Sequence, residues 1–290
     1  MKKILLTGRD GQVGWELQRT LAPLGQVVAL DRKALDLADA DAIRTTLRAI
    51  NANIIVNAAA YTAVDQAETD SVQAMAINGQ APGVMAEEAK KTGALLVHYS
   101  TDYVFDGSGD APFSEDAPTC PLNAYGRGKL AGEQAIQAVG CRHLILRTSW
   151  VYGLRGKNFL RTILRLSKEK DELRIVADQI GAPTWSRMIA EATGLILARQ
   201  TNAAATGEAL GLFHLTSAGA TSWHGFTEAI LELTRDQRTP EPKLTAIPAS
   251  EYPLPATRPH NSRLSCERLE RETGIALPHW RDALALCLAE

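Results

Sequence analysis

Lys3-Ile4-Leu5-Leu6-Thr7-Gly8-Arg9-Asp10-Gly11-Gln12-Val13-Gly14 is the stretch on which the reading of the fold turns. Its first five residues form a short apolar run, the pattern of a buried strand. A glycine-rich turn follows at once, and from Trp15 to Leu24 apolar residues recur at helical spacing. Strand, glycine turn and helix together are the setting that a nucleotide-binding fingerprint requires. In the Gly8-x-x-Gly11-x-x-Gly14 spacing, one glycine permits the tight turn, one lets the backbone approach a pyrophosphate, and one allows the helix to pack on the strand. Amides at the start of a helix suit that anion. A plain turn would also accommodate three glycines in seven residues.

The next strand, Val27 to Leu30, ends at Asp31, about twenty residues beyond the glycines, where a carboxylate would meet the adenosine ribose. Asp31 favours NADH, because it would repel a 2′-phosphate, whereas Arg32 beside it could accept the phosphate of NADPH. Asp36 caps the following helix or, with Leu37, lines an adenine pocket. Alternation then continues: a helix over about 39–51, a strand at Ile54 to Asn57, a helix over about 70–92 and a strand at Leu95 to Ser100. This order, with near-continuous apolar strands, predicts an α/β fold with a doubly wound parallel sheet of Rossmann type. Later elements are a strand from His143 to Leu146, a helix from Phe159 to Lys168, a helix over about 186–200 and a returning strand at Leu212 to Leu215. Pro240, Pro242, Pro248, Pro253, Pro255 and Pro259 break regular structure in the last third. The expected division is a dinucleotide-binding domain over residues 1–152 and 185–217, and a smaller substrate-binding lobe over 153–184 and 218–290.

A chain of 290 residues with 45% hydrophobic and 22% charged residues has the make-up of an ordinary globular protein. Its formal charge of −2 argues against a broad nucleic-acid surface. Four scattered cysteines, Cys120, Cys141, Cys266 and Cys287, form no Cys-x-x-Cys pair and suggest reduced thiols in the cytoplasm. The apolar run after Met1-Lys2-Lys3 is too short for a signal peptide, and no stretch is long enough to span a membrane.

Ligands of such sheets bind beyond the strand C-termini. Three polar clusters fall there: Asn57 to Thr62, Ser100 to Tyr103, and Arg147 to Trp150. Ala60, Tyr61 and Thr62 either pass under a flat cofactor or form a capped strand-to-helix loop. Thr101 is a backbone hydrogen bonder or a hydroxyl for a substrate carbonyl. Asp102 caps, or binds substrate hydroxyls. His98, inside an apolar strand, is expected to be a satisfied core histidine. Tyr125 and Lys129 stand four apart where helical periodicity resumes, so a phenol and an ammonium share one face. That pair is either a solvated helix face or an acid/base pair, since a nearby cation favours the phenolate. Arg258 and Arg263 are surface cations or partners for an anionic substrate.

Taken together, the fingerprint at Gly8, Gly11 and Gly14, the Asn57-Ala58-Ala59-Ala60 loop, Thr101, and Tyr125 with Lys129 resemble the extended short-chain dehydrogenase/reductase family. Six strings in order sharpen the resemblance toward its reductases of 4-keto nucleotide sugars: Gly11 to Leu17, Ala63 to Glu68, Tyr99 to Phe105, Arg147 to Tyr152, Asp178 to Thr184 and Arg258 to Leu264. The resemblance implies hydride transfer from NADH or NADPH to the 4-keto carbon of a dTDP-sugar, dTDP-4-dehydro-β-L-rhamnose. In that role Tyr125 would donate the proton, Lys129 would bind the nicotinamide ribose and depress the tyrosine pKa, and Thr101 would hydrogen-bond the keto oxygen. Gly11, Gln12 and Val13 would face the pyrophosphate, Asp31 the ribose, and Asp36 and Leu37 the adenine. Ala60, Tyr61, Thr62 and Tyr99 would line the rest of the cofactor. Thr101, Asp102, Tyr103, Trp150 and Arg258 would hold the sugar. Some relatives bind Mg2+ at a homodimer interface through carboxylates. Glu16 stands at one such place, but Arg187 stands at the other, so no metal is assigned. The same fold also serves an epimerase or dehydratase on another nucleotide sugar, or a non-catalytic regulatory subunit.

Overall fold

Apolar runs of four to seven residues become the inner strands of a parallel sheet because both of their faces are covered. In order, the chain forms β1 (Lys3–Thr7), α1 (Gln12–Thr20), β2 (Gln26–Leu30), α2 (Ala40–Ile50), β3 (Ile54–Asn57), α3 (Ser71–Met75), α4 (Ala81–Thr92), β4 (Leu95–Thr101), α5 (Ala124–Val139) and β5 (His143–Thr148). There follow β6 (Val151–Tyr152), α6 (Phe159–Glu169), β7 (Glu172–Val176), β8 (Ile180–Gly181), β9 (Thr184–Trp185), α7 (Ser186–Asn202) and β10 (Gly211–His214). The last elements are β11 (Thr221–Ser222), α8 (Trp223–Leu233), β12 (Lys243–Ile247), α9 (Glu267–Thr273) and α10 (Trp280–Leu288). The computed structural model describes residues 1–202, 210–235 and 241–290. Pro240 therefore lies outside the described residues.

Six strands form one sheet in the order β10-β5-β4-β3-β1-β2, all parallel. The step from β1 to β2 runs one way and the step from β2 to β3 returns past β1. A crevice therefore opens at the C-terminal ends of β1 and β3, the place where open α/β sheets bind ligands. Alternate residues point to opposite faces. Ile4, Leu6, Val56 and Val97 pack against Leu17 of α1 and Ile189 of α7. Leu5, Ile55 and Leu96 meet Ile43 of α2, Met85 of α4 and Ile136 of α5 on the other side. A third cluster joins Tyr152, Leu160, Trp185, Phe226 and Trp280. Leu269 of α9 belongs to the first cluster.

Several boundaries differ from the expected ones for local reasons. Helix α1 begins at Gln12, inside the glycine turn, and a short 3-10 turn carrying Pro23 replaces its expected last residues. The cap of α2 is Asp39, not Asp36: Asp39 accepts from the amides of Asp41 and Ala42, while Asp36 accepts from Ala38. The helix expected over 70–92 is divided by a π-helical turn at Ala76–Gln80, next to Pro82, which has no N–H to give the preceding turn. The proline-rich last third still contains β12, between Pro242 and Pro248, paired in parallel with β7. Among the described residues no helix is long and apolar enough to cross a membrane.

Candidate active site

The glycine turn is shaped by close backbone approaches. Gly8 has φ +74°, and a Cβ there would lie 2.7 Å from the Ala59 nitrogen on the loop after β3. A Cβ on Gly14 would lie 2.0 Å from the Gly8 carbonyl oxygen, so α1 can rest on the turn only without one. Gly11 caps α1 without a side-chain acceptor. Among the described residues no side chain caps the first amides of the helix, which fits an anionic pyrophosphate. Val13 packs into the core, and Gln12 donates to the Val151 carbonyl at 3.3 Å and accepts from Asn158 at 2.8 Å. At the end of β2, Asp31 accepts from the amides of Ala34 and Lys33 and from the Arg9 guanidinium at 2.7 Å. The Ala34 amide foremost, and the Arg9 charge after it, hold its carboxyl below the usual range against the effect of burial. Arg9 is the cation that the sequence reading missed, while Arg32 is exposed. Leu37 is buried and Asp36 exposed. Ala60 is half-buried and Thr62 exposed on the loop that follows β3. Between them the Tyr61 backbone is held on both sides by Asn78, and its hydroxyl donates to Asp70. The Tyr99 side chain points into the core and bonds Thr193 at 2.8 Å.

At the end of β4, the Thr101 hydroxyl donates to Asp102 Oδ1 at 2.9 Å and accepts from the Tyr103 amide at 3.2 Å. Asn123 caps α5, accepting from the Gly126 amide at 2.8 Å, and so sets Tyr125 in the first turn. The rings of Tyr103 and Tyr125 meet edge to face, 5.6 Å apart. Burial, and then the Asp102 charge, push the Tyr125 phenol up to about 12, with Thr101 opposing. The expected depression by Lys129 is not what this arrangement produces. Lys129, 2% exposed, lies one turn further on with its Nζ 3.1 Å from His98 Nε2 and 2.5 Å from the Tyr99 carbonyl oxygen. Burial lowers its amine to about 8, opposed by Glu133. At neutral pH Tyr125 therefore holds its proton, as a donor must. Burial also raises Asp102 to about 6, against the hydroxyls of Ser262 and Thr101. Its Oδ2 is buried and, among the described residues, has no hydrogen-bond partner. His98 is a buried, hydrogen-bonded histidine, as expected.

Trp150, just past β5, has φ +47°, a strained conformation for a bulky side chain. Its ring stacks on Trp223, with centroids 3.5 Å apart and planes 7° apart, and lies so close to Gly181 that a Cβ there would stand 2.5 Å from it. Arg258 is committed within the protein: its two terminal nitrogens reach Asp65 at 2.7 and 2.8 Å. This pair fastens the C-terminal loop to the segment after β3. Arg263 bonds Asn261 and stands 3.8 Å from Asp110. Glu16 accepts from Arg187 at 3.3 Å, so a cation already sits where a divalent ion would need a second carboxylate. Among the described residues no group of three or more His, Cys, Asp and Glu side chains is arranged to hold a metal. Asp65 and Trp223 are the further site neighbours that the sequence did not single out. The Ala63 to Glu68 string contained Asp65, but its partner stands 193 positions away.

The chain matches the RmlD substrate binding domain family over residues 1–290. It is 52% identical to a dTDP-4-dehydrorhamnose reductase of Burkholderia thailandensis, over 99% of this chain and 98% of that one. The crystal structure of a dTDP-4-dehydrorhamnose reductase from Clostridium acetobutylicum superposes with a TM-score of 0.90 at 35% identity, covering 99% of this chain and 98% of that one. The Bacillus anthracis enzyme of the same name, solved in complex with NADP, gives a TM-score of 0.90 at 31% identity, covering 99% of each chain.

Proposed function

The chain belongs to the RmlD substrate-binding family, and from that membership and its site we propose that it reduces the 4-keto group of dTDP-4-dehydro-β-L-rhamnose to give dTDP-L-rhamnose. The observation that carries the proposal is the meeting of Thr101, Asp102 and Tyr125 at the end of β4, with Lys129 one helical turn below, on the same C-terminal edge of the parallel sheet as the glycine turn. A reduced nicotinamide, NADH or NADPH, supplies the hydride when bound at that turn. Tyr125, protonated at neutral pH, gives its proton to the oxygen that becomes the 4-hydroxyl. Thr101 hydrogen-bonds the same oxygen and stabilises charge that grows there in the transition state. Lys129 binds the nicotinamide ribose hydroxyls. The unpartnered Oδ2 of Asp102 takes a sugar hydroxyl, and Tyr103 and Trp150 line the sugar site.

Arg9, paired with Asp31, and exposed Arg32 give the adenosine end both signs of charge, which supports use of either cofactor. Gly8, Gly11, Gln12, Val13 and Gly14 hold the pyrophosphate. Asp36 and Leu37 lie toward adenine, and Ala60, Tyr61 and Thr62 line the remaining cofactor surface. The described residues of 1–152 and 185–217 form the cofactor domain, and those of 153–184 and 218–290 the substrate lobe. Four free thiols support a cytoplasmic location.

Net oxidation of NADPH or NADH, followed by absorbance after addition of the keto-sugar, with one dTDP-L-rhamnose formed per cofactor consumed, is the expected result. An isomerised sugar with no net cofactor consumption would instead identify an epimerase and overturn the assignment.

A further inference from the structure

Four buried polar side chains from four elements line up across the C-terminal edge of the sheet: Thr7 on β1, Asn57 on β3, His98 on β4 and Lys129 on α5. Their exposures are 2, 1, 1 and 2%. Thr7 Oγ1 lies 2.7 Å from Asn57 Oδ1, Asn57 Nδ2 lies 3.1 Å from His98 Nδ1, and His98 Nε2 lies 3.1 Å from Lys129 Nζ. The mechanism above uses only the last of the four. A neutral imidazole carries one proton, so the nitrogen it presents to Lys129 depends on what the other nitrogen meets. With the Asn57 amide donating to Nδ1, the proton sits on Nε2 and points at an unprotonated amine. With the amide turned, Nδ1–H donates to Asn57 Oδ1, the amide N–H donates to the Thr7 hydroxyl, and a bare Nε2 accepts from the ammonium. The Thr7 hydroxyl serves either direction, because it can both donate and accept.

We propose that His98 is a positioning residue for Lys129, and that the Thr7–Asn57–His98 chain keeps the lysine nitrogen hydrogen-bonded in both of its protonation states. Lys129 thereby stays in place beneath Tyr125 while its charge changes. The charged group that bears on it from its own helix is Glu133, which itself accepts from the Nε and one terminal nitrogen of Arg147 from β5, at 2.9 and 2.6 Å. From β4 it meets His98 and the Tyr99 carbonyl. The amine is poised near pH 8, where both forms are populated. The contact with the ammonium is the stronger of the two, because a charged donor strengthens a hydrogen bond. Removing His98 therefore favours loss of the proton. Removing the Thr7 hydroxyl acts in the same direction, since it orphans a buried amide N–H in the ammonium-bound arrangement, and a buried N–H tolerates this less well than a carbonyl does.

The proposal rests on the reductase assignment only for the importance of Lys129, and its test needs no turnover. In full-length protein carrying 13C at the lysine Cε, the Lys129 resonance, assigned by its loss in Lys129→Met, is followed against pH. His98→Phe is expected to lower the titration midpoint by about one pH unit or more, a tenfold change in the proton equilibrium. Thr7→Val is expected to lower it by less. His98→Gln, whose amide oxygen can reach the Nε2 position, is expected to restore it. An unchanged midpoint in folded His98→Phe overturns the proposal. Should that variant not fold, an unchanged midpoint in Thr7→Val does so instead. A structural role for the histidine alone would move the unfolding temperature and leave the midpoint where it was.

Discussion

Asp102→Asn tests how Thr101 is made available to a substrate. Thr101 has one hydroxyl hydrogen, and Asp102 Oδ1 takes it at 2.9 Å. An ionised Asp102 therefore competes directly with a keto oxygen for that hydrogen. A protonated Asp102 reverses the bond, donating to Thr101 Oγ1 and freeing the hydroxyl to point at the substrate. Burial has raised this carboxyl to about 6. The protonated share is then about one half at pH 6, about one tenth at pH 7 and about one hundredth at pH 8. If only that form lets Thr101 donate, kcat/KM for the keto-sugar should fall roughly fifty-fold between pH 6 and pH 8. In Asp102→Asn the amide donates to Thr101 at every pH, so the profile should be flat over this window. Loss of the negative charge should also lower the Tyr125 pKa, since Asp102 is one of the groups that raise it. The assay is initial-rate reduction of dTDP-4-dehydrorhamnose at saturating NADPH, in buffers of constant ionic strength. An Asp102→Asn profile that keeps the wild-type slope would refute the coupling of Thr101 to Asp102.

Tyr125→Phe should lower kcat by about 100- to 10,000-fold, the usual worth of a general acid, with the Kd for NADPH by fluorescence titration nearly unchanged. Wild-type turnover would remove Tyr125 from the mechanism. Gly14→Ala sets a methyl 2.0 Å from the Gly8 carbonyl oxygen, so α1 must shift away from the turn. A loss of about 1–3 kcal/mol in denaturant unfolding and weakened cofactor binding are expected. Unchanged values for both would show that the turn is not closely packed. Glu88, 3% exposed, is held down to about 2, first by its hydrogen bonds from Arg48 and then by those from Lys91. A depressed carboxyl adds stability above its unfolded value of 4.5, and that contribution is lost as pH falls from there toward 2. Arg48 and Lys91 are more than half exposed, so solvent screening reduces the effect. Glu88→Gln should therefore cost about 1 kcal/mol at pH 7 in urea unfolding, and the gap to wild type should close by pH 2.

The sheet was legible because its signals are local. An apolar run, a glycine turn and a helical period each occupy a few residues, and their alternation specifies a parallel topology. Boundaries were less legible where a neighbour competes for the same role. Asp36 and Asp39 are both plausible caps three residues apart, and only the path of the chain decides which amides lie within reach of which carboxylate. The π-helical turn at Ala76–Gln80 breaks a helical period that the sequence carries unbroken, and Asn78, inside that turn, is what holds Tyr61.

Residue types and spacing alone determined that a glycine turn joins a strand to a helix, that Thr101 lies next to a strand's C-terminal end, and that Tyr125 and Lys129 share a helix face. These follow from backbone geometry with fixed periods. Tertiary structure alone decided what surrounds those groups. Lys129 faces His98 and the Tyr99 carbonyl, Tyr125 answers to Asp102 and Thr101, Asp31 has Arg9 beside it, and Arg258 is tied to Asp65. A pKa depends on burial and on charges brought close by folding. Such partners, here up to 193 positions apart, leave no period in the chain.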